Sequence, residues 1–496
     1  MKKKFLYIAC SCASILLVSC SDYLETPPSV DYGENEVFST RADAESLLTT
    51  LYAEGMPYGF CMSSSNTDRR LLSSSTLASA CDEGEDVATW AMGNAAWNAG
   101  NHTNSNFTWD EDCRFYLRNH TTRVANLILK RINEVPFDEG DPEFNKRATG
   151  EAYFMRAMLL WEGVYRYGGM PIVREVIDPT DFSERPRNSF SDCVDSILVD
   201  CDRATRFLPD YYTDESKLGR ATRIAALALK ARVLLYAASP LFNTNRPYMA
   251  FPGHEDLIGY GNYDRERWKK AADAAKAAID AAVSSGHYKI HNTGNPEKDY
   301  EDVWTIPNNE EIILGNMKYR NFKTTNRPLV ANLPTWAMNK AWGDAGLYVT
   351  FNFVQRYEKR ADGQPADWNM NGGDNLIDIY NSLDPRFKQT IAYHSSSWND
   401  EIPFINFLDG GSEKSAMDRT AHLLHKWVPR SLHVNGSNST NVQWPVFRLA
   451  ELYLNYAEAL NEYESTPSQA AYDAVNLVRA RAGMPDFPAG MTQEAF

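Results

Sequence analysis

The clearest apolar pattern runs from Arg147 to Tyr167. Phe154, Ala157, Met158, Trp161, Val164 and Tyr165 recur there at i, i+3, i+4 spacing, which predicts a helix with a buried stripe. Gly168-Gly169-Met170-Pro171 supplies its stop, a flexible cap followed by a proline that cannot continue the helix. Comparable patterns predict helices over Arg41–Ala53, Trp109–Ile132 (with Tyr116, Val124 and Leu127 among its apolar positions), Ser191–Phe207, Ala221–Ala238, Glu266–Ala282, Trp444–Glu462 and Ser468–Ala482. Residues 55–108 are rich in Ser, Asn and Gly and read as a long loop region, a kind of segment that in compact proteins is usually functional. Residues 288–443 are mixed, with short strand-like runs such as Ile312-Ile313-Leu314.

The strong helices come in pairs: 147–167 with 191–207, 221–238 with 266–282, and 444–462 with 468–482. Ala225, Ala228 and Ala231 are small enough to let a neighbouring backbone approach. The expected fold is therefore mostly α, a tetratricopeptide-like helix-pair solenoid. Its scaffold would span about 109–285 and 444–482, and a large loop-rich, mixed ligand-binding face would span about 55–108 and 288–443.

The first residues read as a targeting segment. Lys2, Lys3 and Lys4 precede a mostly apolar run from Phe5 to Val18, too short for a bilayer span of about 20 residues. It ends in Leu17-Val18-Ser19-Cys20, a bacterial lipoprotein box, in which residues 1–19 are cleaved and Cys20 is lipidated. The plainer alternative is a secretory signal with an incidental cysteine. Residues 20–40, with Pro27 and Pro28, read as a tether, and 41–496 as one domain.

Charge and cysteine content narrow the function. The chain carries −15, and loss of the leader with its three lysines makes that −18. An acidic chain lacks the cations that displace phosphate counterions, so unspecific nucleic-acid binding is excluded. Cys10 and Cys12 leave with the leader and Cys20 is lipidated, so Cys61, Cys81, Cys113, Cys193 and Cys201 remain, an odd number that cannot all pair. Cys193 and Cys201 stand eight apart on one predicted helix, about 12 Å along its axis and too far for a bridge; a Cys61–Cys81 pair is open.

The motifs of common enzymes (G-x-S-x-G, H-E-x-x-H, the P-loop, G-x-G-x-x-G) are absent. His422-Leu-Leu-His425 lacks a glutamate and reads as two ordinary polar-face histidines. Asp367-x-Asn369-x-Asn371-Gly372, with Asp378 in twelfth place, mimics a calcium loop, although Asp378 is shorter than the usual Glu and Asp374 stands where an aliphatic is usual. Either a structural calcium or an Asn/Gly turn would use this pattern. Asp82, Glu83, Glu85 and Asp86 read as a solvated acidic run.

Aromatic residues reach 12%, and Trp90, Trp97, Trp336, Trp342, Trp368 and Trp398 stand in loop-like, polar surroundings. A flat exposed ring can stack on the apolar C–H face of a pyranose while nearby Asn, Asp and Arg fix its hydroxyls. Each ring taken singly is more often core. Trp161, on a helical apolar face, is expected in the core.

Four stretches resemble hallmarks of one family. They are Glu151-Ala-Tyr-Phe-Met-Arg156 running to Pro171; Gly219-Arg220-Ala-Thr-Arg223 running to Leu241; Asp384-Pro385-Arg386-Phe387; and Arg448-Leu449-Ala450-Glu451 running to Gly483. In this order, and with a start at Cys20-Ser-Asp22-Tyr-Leu24, the chain resembles the SusD/RagB family. The resemblance implies a surface-exposed, lipid-anchored outer-membrane protein with four tetratricopeptide-like helix pairs, which captures glycans and passes them to a SusC-like TonB-dependent transporter. It implies no catalysis and no required cofactor. Arg156, Arg223, Arg232, Arg448, Glu451 and Glu458 sit within the helix-pair segments and are expected to be scaffold ion pairs and caps, not ligand contacts. Family members usually continue beyond the point matching Phe496, so this chain looks cut short.

Ligand residues of the family vary with the glycan, so Trp90, Trp97, Trp336 and Trp342 are placed at the binding face by region only. Two other readings stand beside this one: the same scaffold taking peptide or glycoprotein-derived ligands, and a glycoside hydrolase, which would need two opposed carboxylates about 5–10 Å apart.

Overall fold

The computed structural model describes residues 33–57, 81–86, 100–101, 103, 109–178, 180–316, 347–373, 375–408, 410, 420–426, 429–433 and 437–496. In chain order its elements are α1 (Glu34–Val37), α2 (Arg41–Gly55), β1 (Gly84–Asp86), α3 (Trp109–Arg131), α4 (Phe144–Tyr167), α5 (Phe190–Phe207), α6 (Arg223–Ala238), α7 (Glu266–Ser284) and α8 (Asp299–Thr305). These are followed by β2 (Ile312–Asn316), β3 (Leu347–Val349), α9 (Phe351–Val354), α10 (Leu376–Ser382), α11 (Pro385–Thr390), β4 (Ile391–Tyr393), β5 (His422–Leu424), β6 (Trp444–Arg448), α12 (Leu449–Tyr463) and α13 (Gln469–Arg481).

Local chemistry starts several of the long helices. Thr40, Ser189 and Thr222 each accept a backbone N–H of the first turn through the side chain, capping α2, α5 and α6. Each helix then buries its apolar stripe against the next: α2 on α3, α3 on α4, α4 on α5, α5 on α6, α6 on α7, α7 on α12 and α12 on α13. The predicted pairs stand, and α2 with α3 supplies a fourth. Alanines allow the tight spacing, since Ala225, Ala228, Ala231 and Ala278 are fully buried. Gly150 on α4 goes further, because a Cβ there would lie 2.7 Å from Leu208 Cγ.

Charged side chains stitch the stack. Arg156 grips Asp200 through Nε and Nη2 at 2.7 and 2.8 Å and donates to Asn126 at 2.7 Å, tying α4 to α5 and α3. Arg147 reaches Glu151 at 2.7 Å and Asp141 at 2.8 Å, and Arg220 reaches Glu45 at 2.6 Å and Glu151 at 3.2 Å. Arg232 makes two bonds of 2.6 Å to Glu451, joining α6 to α12. Arg223 pairs with Asp210, and Arg448 with Glu311. These hallmark residues serve the scaffold, as expected. Glu458 is the exception: it lies on the exposed face of α12 and makes no ion pair among the described residues.

The predicted helix over Trp444–Glu462 needs correction. Its first five residues form β6, antiparallel to β2, and the helix begins at Leu449. Pro445 explains the change: it cannot donate in a helix, and it pushes the residue before it into extended backbone. Val446 and Phe447 suit a buried strand, and both are buried. The third hallmark also has a structural task. Asp384 caps α11 by accepting Arg386 N, Pro385 opens the helix, and Phe387 is fully buried.

A second, four-stranded antiparallel sheet has the order β1-β3-β5-β4. One of its faces packs on α9, α10 and α11 through Val349, Ile391 and Tyr393 against Val354, Tyr380 and Phe387. No helix of the described residues is long and apolar enough to cross a membrane.

Candidate functional site

The loop-rich part is organised by the four-stranded sheet. In β1 and β3, Gly84 faces Val349, Glu85 faces Tyr348 and Asp86 faces Leu347. Thr350 extends the contact, its N–H donating to Glu83 O at 3.3 Å and its hydroxyl to Asp82 O. The carboxylates of Asp82, Glu83 and Glu85 remain exposed, as a solvated run should be. Because the pairing is antiparallel, the chain leaving β1 after Asp86 and the chain entering β3 before Leu347 meet the sheet at the same end.

An aromatic layer backs this sheet. Tyr380 lies at its centre, with ring centroids 4.7 Å from Tyr393, 5.2 Å from Phe387 and 6.3 Å from Trp368; Phe351 meets Trp368 edge-on at 5.2 Å. The Tyr380 hydroxyl sits 2.9 Å from His422 Nε2. Burial pushes the His422 imidazole down to about 4 and the Tyr380 phenol up to about 12, so both are neutral near pH 7. Rings held this way give the sheet a stiff floor.

The two histidines of His422-Leu-Leu-His425 are therefore not on a polar face. His422 is 4% and His425 2% exposed, and His425 packs edge-on against Trp398 with centroids 4.7 Å apart. Alternation in β5 turns His422 and Leu424 towards the aromatic layer. Of the loop tryptophans, Trp398 is 1% exposed and belongs to the interior, and Trp368 is half-buried in the aromatic layer. Trp161 is core, as expected. Trp90, Trp97, Trp336 and Trp342 lie outside the described residues, as do Cys20, its leader and the tether up to residue 32.

In the calcium-like loop, Asn369 Oδ1 accepts Asn371 N at 3.0 Å, and Asn369 Nδ2 donates to Gly372 O at 2.8 Å. Asp378 takes a bond from Asn375 Nδ2 at 2.7 Å in the first turn of α10, and Asp367 is exposed, 3.6 Å from Lys359. These side chains do the work of an Asx turn and a helix cap. Cys193 and Cys201 are free thiols, and burial pushes both upward in pKa; Cys61 lies outside the described residues.

A cavity of about 360 Å³ lies between α3, α4, α5 and residues 170–177, lined in part by Arg123, Arg156, Leu160, Met170, Pro171 and Arg174. Of the guanidinium groups that line it, Arg156 is held by Asp200, Arg123 by Ile177 O and Arg174 by Ser196.

The β1–β3 ladder escaped the sequence reading. Gly84-Glu85-Asp86 has no strand propensity of its own, and only the run Leu347-Tyr348-Val349 could have signalled it.

Residues 22–235 match a family model described as starch-binding, associating with outer membrane, and residues 301–495 match the SusD family model. Among solved structures, a SusD-like protein of Bacteroides fragilis is 25% identical with a TM-score of 0.69, over 93% of this chain and 82% of that one. A SusD-like carbohydrate-binding protein of the same species is 19% identical with a TM-score of 0.65, over 92% and 81%. A SusD homolog of Bacteroides thetaiotaomicron is 17% identical with a TM-score of 0.59, over 93% and 82%. No curated protein matches the chain in sequence. The two family models, which between them take in both halves of the chain, and the shared helix-pair architecture establish that this chain belongs to the SusD/RagB family.

Proposed function

We propose that this protein is a non-catalytic, surface-exposed glycan-binding lipoprotein of the outer membrane that hands oligosaccharide to a SusC-like TonB-dependent transporter. The observation that carries the reading is the pairing of Asp86 with Leu347. Trp90 stands four residues after the first and Trp342 five residues before the second. Four or five residues of extended chain reach at most about 14–18 Å. Both tryptophan-bearing segments therefore start from one end of one rigid sheet, which supports a shared binding face for Trp90, Trp97, Trp336 and Trp342. The family descriptions, starch-binding and carbohydrate-binding, support the ligand class.

Anchoring through Cys20 would hold this face at the cell surface, with the acidic chain facing solvent. A sugar site open to water desolvates few atoms, so a dissociation constant between micromolar and millimolar is expected, about −8 to −4 kcal/mol.

The test is a glycan array probed with the chain from Ser21 onward, followed by calorimetric titration of the hits and an assay for new reducing ends. Saturable binding to one glycan class without cleavage is the expected result. Binding to peptides alone would replace the ligand class. Release of reducing ends that one carboxylate substitution abolishes would replace the non-catalytic reading.

A further inference from the structure

His291, Asp299 and Asp302 meet in the interior beside α8. Asp299 is fully buried, Asp302 is 4% and His291 7% exposed. One ligand-type atom from each lies within 4.8 Å of the others. The two aspartates are three residues apart on α8 and so share a face. His291 comes from the loop after α7 and is fixed by its backbone N–H, which donates to Glu311 at 3.0 Å.

The hydrogen bonding of this group is incomplete. Asp299 Oδ1 accepts Thr293 N at 3.1 Å and Thr293 Oγ1 at 2.5 Å, but buried Oδ2 has no hydrogen-bond partner. Neither ring nitrogen of His291 makes a hydrogen bond, although Nε2 stands 3.7 Å from Asp302 Oδ2 and Nδ1 3.3 Å from Glu310 Oε1. Lys298, itself largely exposed, reaches Asp302 at 2.6 Å. Lys298 also bonds the second Asp302 oxygen at 2.9 Å, and exposed Lys289 stands 3.9 Å from Glu310, so two lysines face three carboxylates and the group is still one positive charge short. Buried polar atoms without partners are costly and rare in native proteins.

We propose that His291, Asp299 and Asp302 form a binding site for a divalent transition metal of the zinc type. His291 Nε2, Asp299 Oδ2 and an Asp302 oxygen are the ligands, and water completes the shell. The donor set fits zinc better than calcium, which takes six to eight oxygens. Tetrahedral ligands about 2.1 Å from zinc lie about 3.4 Å from one another. The 3.7 Å between His291 Nε2 and Asp302 Oδ2 closes to that value with a small movement. Glu310 is the positioning residue: it faces Nδ1 and so favours the tautomer that frees Nε2 for metal. The ion clamps α8 to the segment leaving α7. The proposal is independent of the glycan reading.

The experiment uses the untagged mature chain in detergent, stripped with chelator and titrated with zinc chloride by calorimetry and native mass spectrometry. One zinc per chain with micromolar or tighter affinity, and a higher melting temperature, are expected. His291→Gln and Asp299→Asn should each weaken binding by about 100-fold or more. Glu310→Gln keeps all three ligands and should weaken it by about 10–100-fold, a loss that a merely structural role would not produce. If His291→Gln does not fold, the near-isosteric Asp299→Asn carries the test. No zinc bound at about 100 μM free metal overturns the proposal, as does stoichiometric zinc retained by the ligand variants or an equal response to calcium.

Discussion

Arg481 donates to Glu311 at 2.7 Å with both side chains shut off from water, 1% and 0% exposed. Glu311 also holds Arg448 at 2.9 Å and the backbone of His291 at 3.0 Å, and its own carbonyl accepts Leu449 N at 2.9 Å. One carboxylate thus joins α13, the start of α12 and the loop after α7. Removing one partner of a buried pair leaves the other charge uncompensated, at about 3–5 kcal/mol. Glu311→Ala should therefore lower the free energy of unfolding by about that amount in denaturant titration, and loss of under about 1 kcal/mol would show that the pair is not the anchor.

Gly150 makes a packing prediction. Its missing Cβ leaves room for Leu208 and Phe207, which would lie at 2.7 and 2.9 Å from an added methyl. Gly150→Ala removes flexibility from a helix interior, a gain of about 1 kcal/mol at an open site. Overpacking costs about 1–3 kcal/mol and wins here. The variant should be net destabilised in thermal melting; a gain in stability would mean that the α4–α5 contact is looser than drawn.

The buried histidine gives a pH prediction with a definite sign. His422 is held at about 4 in the folded protein against about 6.5 when unfolded. The unfolded chain therefore takes up a proton first as pH falls. The contribution of neutral His422 is whole above pH 6.5 and is lost as pH drops towards 4, with a slope of at most about 1.4 kcal/mol per pH unit. Between pH 6.5 and 4.5, His422→Gln should lose stability less steeply than the natural chain. Parallel curves would show that His422 does not titrate in this window.

The tryptophans call for a paired measurement. Replacing a ring that stacks on sugar should cost about 1–3 kcal/mol of binding, by analogy with bases stacked on aromatics, and leave melting unchanged. Trp161→Ala, taken from the core, should instead cost about 3–5 kcal/mol of stability. At least two of Trp90, Trp97, Trp336 and Trp342 should follow the first pattern. Sharp melting losses in all four would make them core residues.

The lipid anchor is tested in cells. Cys20→Ala should leave the fold intact and release the protein from the membrane fraction, because firm attachment needs more than one acyl chain. Full retention in cells without the partner transporter would sink the assignment.

The helices were legible in the sequence because a helix writes its burial into its own order. Arg147–Tyr167 and Ser191–Phe207 carry their stripes, caps and stops within themselves, and the structure keeps both almost unchanged as α4 and α5. The hallmark arginines could likewise be read as scaffold. Properties that depend on partners distant in the chain were set by the tertiary structure. Trp444–Arg448 became a strand because Ile312–Asn316 was there to pair with Pro445 blocking the helix, and His422 became a buried neutral base because Tyr380 and Phe351 closed over it. Asp82 and Thr350, 268 positions apart, meet only through the β1–β3 ladder, and His291 meets Asp299 and Asp302 only where α8 folds back on the loop after α7. Periodicity reports which side of an element is buried; which residues meet across that surface is decided when the whole chain packs.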